Sequence, residues 1–119
     1  MTEQTAPQTA PQTPAATGTT EFVPGDGPGP SARRLLAGPG LTLVGFSFRT
    51  GQVLDEHKAP GPILVSCVSG RIDLEITGGE TPGAHRLDPG STVYITGGDP
   101  HRLTALEDSV VHVTLHRNL

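Results

Sequence analysis

From Leu41 onward the chain alternates between apolar and polar positions with the period of a β-strand. Leu41 and Leu43 fall on one face, and Thr42, Val44, Phe46 and Phe48 on the other. Both faces are apolar in part, as expected of a strand lying between two layers. Thr50-Gly51 then turns the chain, and Val53–His57 re-enters it as a second strand. Pro60-Gly61-Pro62 makes a rigid kink before a near-continuous apolar run, Ile63–Val68, which Ser69-Gly70 ends. Arg71–Thr77 alternates strictly, with Ile72, Leu74 and Ile76 predicted inward and the charged residues outward. Gly78-Gly79 predicts a hairpin turn, and Ala84–Leu87 its return strand. Further strands are predicted at Ser91–Thr96, His101–Leu106 and Ser109–His116. The corners between them are Asp88-Pro89-Gly90, Gly97-Gly98-Asp99-Pro100 and Glu107-Asp108. Ser31–Ala37 has a composition that would suit a short helix. Gly38-Pro39-Gly40 cuts it off after about two turns, too short for an isolated helix, so a first edge strand is predicted instead. Seven to nine short strands at this spacing predict an all-β sandwich or jelly-roll barrel.

Composition sets the boundaries. Thr, Ala, Pro and Gln dominate the first twenty residues, where TAPQ occurs twice in succession. Such a stretch buries too little apolar area to offset backbone ordering, and its prolines lack the donor a β-ladder needs. Residues 1–30 are therefore predicted to be a disordered tail and linker, with Phe22 and Val23 tacking the linker onto the barrel, and residues 31–119 the folded domain. A domain of that size buries only about 60% of the surface its unfolded chain exposes. With 3 Phe, 1 Tyr and no Trp, its core must be Val, Leu and Ile.

A net charge of −4 excludes the basic stripe that nucleic acid requires, and offers no polybasic route to an anionic membrane. No apolar run approaches the eighteen or so residues of a spanning helix. The N-terminus has neither the basic nor the apolar region of a secretory signal. A single cysteine, Cys67, rules out an internal disulfide and fits a reducing compartment. A cytoplasmic protein is expected.

Two stretches share a logic of glycine, short strand and histidine: Gly51–Gly70, with His57, and Gly90–His101. Together they resemble the paired motifs of the cupin superfamily, small double-stranded β-helix barrels. The first family motif runs glycine, five residues, His-x-His, three residues, glutamate, six residues, glycine. Gly51, His57 and Gly70 match it; Ala59 stands at the second histidine and Ile63 at the glutamate. The second runs glycine, five residues, Pro-x-Gly, two residues, histidine, three residues, asparagine. Gly90, Gly98 and His101 match it, with Thr96 for the proline and Ala105 for the asparagine. The resemblance spans Leu41 to Leu115. It implies a barrel with the two motifs as opposite walls and both histidines aimed into its mouth.

In metal-binding members of that superfamily, three histidines and the glutamate hold iron, manganese, nickel or zinc. This chain keeps two of the four positions, His57 and His101. Catalytic zinc sites usually take three protein ligands, and non-haem iron sites two histidines and a carboxylate. No cofactor, or a weakly held divalent metal on His57 and His101, is therefore expected. His112 is the candidate third ligand if strand register turns it inward. Asp55 shares the parity of His57 but sits at the strand's exposed start, and Asp99 is read as capping its turn. Cys67 is read as a small buried hydrophobe, and His85 as solvated.

The resemblance implies a small-molecule site, with His57 and His101 as polar anchors and Ile63, Val65 and Leu103 as an apolar wall. The expected function is binding of a small organic ligand, as a sensor or carrier, by a protein that forms a homodimer. The alternatives are a metal-dependent enzyme of dioxygenase or isomerase type with a nonstandard ligand set, and a structural partner subunit without a ligand.

Overall fold

The computed structural model describes residues 15–116. Nine strands occur among them: β1 (Ser31–Gly38), β2 (Leu41–Phe48), β3 (Val53–His57), β4 (Ile63–Ser69), β5 (Ile72–Ile76), β6 (Gly83–Leu87), β7 (Thr92–Ile95), β8 (His101–Ala105) and β9 (Ser109–His116). They form two sheets, ordered β1-β2-β9-β4-β7 and β3-β8-β5-β6, with neighbours antiparallel throughout. Without β1 this is four strands facing four, the arrangement of a jelly roll. Each predicted strand is present with its ends displaced by two residues at most.

The core lies between the sheets. Phe48, Val65, Ile95 and Val111 come from one side, and Ile72, Leu74, Leu87 and Leu103 from the other; each is 2% exposed or less. Alternation explains this directly. Ile72, Leu74 and Ile76 of β5 are buried as predicted. On β2 the inward face is Thr42, Val44, Phe46 and Phe48, whereas Leu41 is largely exposed. Cys67 is buried in the core with its thiol directed at the Ser69 carbonyl, 3.4 Å away. Burial pushes its pKa up, and the charges of Asp88 and Glu107 push the same way.

Ser47 points away from the core yet is only 5% exposed, because the chain before β1 lies on it. The Val23 amide donates to the Ser47 hydroxyl at 3.0 Å, and that hydroxyl donates to the Glu21 carbonyl at 3.3 Å. Farther along, the Gln52 amide donates to the carbonyls of Gly25 and Gly27, and Val53 N–H donates to Pro28. The linker expected to be tacked on by Phe22 and Val23 is thus bonded to the barrel from about Glu21 onward, by hydrogen bonds and not by those two side chains, which are nearly half exposed. Its composition could not reveal this, since the partners are backbone carbonyls met by Gln52 and Ser47. The predicted disorder of residues 1–14 lies outside the described residues. Strand β1 is an edge, paired only with β2 and bulged between Arg34 and Leu36. The approach of Gly18 blunts that edge: a methyl group there would stand 2.7 Å from the Leu35 carbonyl oxygen.

Candidate functional site

The corners that carry the two motifs are built by glycine. Gly51, Gly70, Gly90 and Gly98 all have φ between 84° and 94°, a region that costs any residue with a Cβ. At Gly70 a Cβ would in addition strike the Ser109 hydroxyl and the Asp108 carbonyl. At the other end of the barrel the Gly98 amide donates to the Ala59 carbonyl at 2.7 Å. This bond ties the corner before β8 to the segment after β3, and so fixes the two histidines relative to each other.

The sequence reading set those histidines on opposite walls. They are instead cross-strand neighbours within one sheet, since β3 pairs with β8 and His57 stands opposite His101. Their ring centroids are 4.3 Å apart, with the planes at 62°. Glycine spacing carries no information on which strands pair, which is why the sequence missed this. A second feature is also invisible to period-two counting. On β8, Leu103 and His101 are two residues apart; their partners on β3, Leu54 and His57, are three apart. The extra residue is a β-bulge. It brings Leu54 and His57 to the same face and sends Asp55 to the other, contrary to the shared parity expected for Asp55 and His57. Asp55 is exposed, beside Arg102 on the outer side of the sheet.

Both imidazoles face a cavity of about 200 Å³ between the sheets. His101 is buried, at 1% exposure, while His57 lies at the exposed rim. The predicted wall residues Ile63, Val65 and Leu103 line the cavity together with Val44, Phe46 and Leu54. Val113, Leu115 and Ala59 complete the lining. Sequence reasoning named only part of this wall. The face shared by Val44 and Phe46 was legible in the alternation of β2, but its pairing with β9 was not.

The hydrogen bonds fix the chemistry of the rings. His57 Nδ1 lies 2.9 Å from the Asp55 carbonyl oxygen, and His101 Nδ1 lies 3.0 Å from that of Asp99. A carbonyl can only accept, so each Nδ1 carries the proton, and in each neutral ring the free lone pair is on Nε2. Burial holds the His101 pKa below the ordinary histidine range. The bond to the Asp99 carbonyl works against that shift, and the neighbouring His57 adds to it. His101 is thus a neutral acceptor at pH 7.

The other candidates lie elsewhere. His112 alternates with the buried Val111 and Val113, so it faces outward, where its Nε2 meets the Thr20 hydroxyl at 2.7 Å. It is not a third ligand beside His57 and His101. His85 is exposed on the edge strand β6. Asp99 places its backbone carbonyl on His101 and its carboxylate against the Gly79 turn. Among the described residues, no three His, Cys, Asp or Glu side chains gather as a metal site would require. The cavity offers two nitrogen donors, and Ala59 and Ile63 stand where the resemblance would put the other two ligands. The residues present do not fit a resident metal.

No protein-family model matches the chain, and no curated protein matches it. Solved structures do. A cupin superfamily protein of Desulfitobacterium hafniense superposes with a TM-score of 0.69 at 12% identity, over 81% of this chain and 84% of that one. An RmlC-like cupin of Shewanella frigidimarina gives a TM-score of 0.69 at 14% identity, over 87% and 96%. KdgF of a Halomonas species gives 0.67 at 25% identity, over 78% and 84%. No helix among the described residues is long and apolar enough to cross a membrane. With its two facing sheets, its motif glycines at positive φ and these structural counterparts, the chain has the fold of the cupin superfamily.

Proposed function

We propose that this small cupin domain binds a small organic molecule in the cavity between its sheets, as a sensor or carrier. The observation that carries the proposal is the pair of touching imidazoles, each with Nδ1 tied to a carbonyl, at the edge of an otherwise apolar cavity. Nothing in the packing of an all-apolar wall calls for two adjacent nitrogen lone pairs. Their chemistry suits a ligand that donates one hydrogen bond from a hydroxyl or N–H and buries an apolar body. At about 200 Å³ the cavity is smaller than the roughly 300–1,000 Å³ of drug-sized sites, and a single six-membered ring needs about 150 Å³. The part of a ligand held between the sheets is therefore about one ring in size. His57, at the rim, meets it first; the buried His101 holds it.

Phenol is a suitable probe. Histidine-ring 15N shifts of the full chain should move at His57 and His101 as phenol is added, and not at His85 or His112. Unmoved His57 and His101 signals with millimolar phenol and with cyclohexanol would count against the proposal.

One observation favours a second reading. Metal-bound histidines commonly donate their other ring N–H to a carbonyl, as both do here. A metal-dependent enzyme of dioxygenase or isomerase type would need its remaining ligands from outside the described set. Metal analysis of protein purified without chelator decides between the two: stoichiometric iron, manganese, nickel or zinc, lost on His101→Ala, would favour the enzyme. A homodimer and a cytoplasmic location belong to the same proposal. They rest on the small core, the single buried cysteine and the resemblance.

A further inference from the structure

The cavity has a neighbour at Ala59. A second depression, of about 290 Å³, shares Ala59, Ile63 and Leu115 with it and opens beyond them. Its character differs at the far side. There the lining includes Thr42 and His116, and no acidic side chain is among the described residues that line it. Thr42 is nearly buried at 7% exposure on the inward face of β2, next to Leu115 of β9. His116 ends β9, and its Nδ1 would lie 4.0 Å from a methyl group placed on Gly61. An apolar waist thus separates two polar ends. At one end are the Nε2 lone pairs of His57 and His101, which accept. At the other are the Thr42 hydroxyl and the exposed His116 imidazole, each able to donate. The two volumes together reach the range of ordinary small-molecule sites.

We infer that the site is two-ended. The structure assigns it to an elongated molecule with a hydrogen-bond donor at one end, an apolar middle and a carboxylate at the other. The donor reaches His57 and His101, the middle lies against Ala59, Ile63 and Leu115, and the carboxylate accepts from Thr42 and His116. The inference rests on the proposed ligand site and extends it to a ligand class that the histidine pair alone does not specify.

Two probes separate the claims. Phenol reads the histidine pair alone, and 3-(4-hydroxyphenyl)propanoate reads both ends. Titration calorimetry and histidine 15N shifts on the full chain should show the acid binding at least tenfold more tightly than phenol. His116→Ala should bring the acid down to the affinity of phenol while leaving phenol itself unchanged. His116→Gln, which keeps a donor, should retain part of the gain. Thr42→Val gives an independent check and should also reduce the gain. If phenol binds normally but the acid gains less than threefold, or keeps its gain in both His116→Ala and Thr42→Val, the two-ended site is wrong and the histidine-pair site stands. If phenol leaves His57 and His101 unmoved, both fall together.

Discussion

Filling the cavity should stabilise the protein and silence it. Ala59 is the place to do so, because its methyl lies on the shared wall of both depressions. It is held there by the bond from the Gly98 amide to its own carbonyl, which a change of side chain leaves intact. Ala59→Leu adds three carbon atoms to a space of about 200 Å³. At about 0.8 kcal/mol per buried methylene-sized group the gain is roughly 2.4 kcal/mol. Fixing the leucine rotamer costs about 0.5–1 kcal/mol, leaving roughly 1.5 kcal/mol. In a domain of this size each kcal/mol moves the melting temperature by about 4–8 °C, so a rise of about 6–12 °C is expected. The same side chain occupies the volume in which a ligand ring would sit, so phenol should no longer shift the rings of His57 and His101. Calorimetric melting and a phenol titration on wild type and variant check both halves. A fall in stability of the 1–3 kcal/mol typical of overpacking would show that no room exists at position 59. A stabilised variant that still binds phenol would show that the ligand does not use this cavity.

Four further outcomes follow from the same geometry. The folded His101 releases its proton more readily than the unfolded one, so its contribution to stability is fully present above the ordinary histidine pKa of about 6.5 and is lost as pH falls through that value toward the lower folded one. Urea midpoints between pH 7.5 and 5 should therefore drop in wild type and drop less in His101→Gln; parallel slopes would contradict this. Asp108, held below the ordinary carboxylate range by the Thr50 amide and hydroxyl, loses its contribution only as pH falls below about 4, outside that window. Ala59→His with Ile63→Glu restores the ligands that the resemblance lacks, and should retain near-stoichiometric zinc or iron after desalting where wild type retains little; an equally metal-poor variant would show that the four positions do not converge. Gly70→Ala should cost more than about 2 kcal/mol in chemical denaturation, from the positive φ and the collision with Ser109, whereas Gly38→Ala, with open space around it, should be close to neutral. Light scattering at about ten micromolar should give twice the chain mass of 12.3 kDa, and a monomer would contradict the homodimer.

Much of the fold was legible because a strand half-buried between layers must alternate. The β5 run, Ile72 to Ile76, shows its inner face letter by letter, and the turns announce themselves through glycines that only a positive φ explains. Legibility stopped where structure depends on partners distant in sequence. Nothing in Val53–His57 says that β3 lies beside β8, so the two histidines were set on opposite walls when they are adjacent. The bulge between Leu54 and His57 is equally silent, because the extra residue is counted against Leu103 and His101, not against its own neighbours. Parity therefore put Asp55 on the face of His57, although its exposure was read correctly. On β9, Val111, Val113 and Leu115 form an alternating apolar set that leaves His112 on the other face, although the buried Val110 shares that face and blurs the signal. Residues 21–30 look like a linker by composition, and only the positions of Ser47 and Gln52 show what their carbonyls meet.

The central claim is that two imidazoles stand in contact, each with its Nδ1 proton committed to a backbone carbonyl, and that the buried His101 leaves its Nε2 lone pair free. Long-range 1H–15N correlation spectra of the histidine rings near pH 7.5, together with ring-to-ring nuclear Overhauser effects, test it most directly. The structure predicts an Nδ1–H signature for both His57 and His101 and a cross-peak between their ring protons. An Nε2–H signature at His101, or rings with no cross-peak between them, would contradict it.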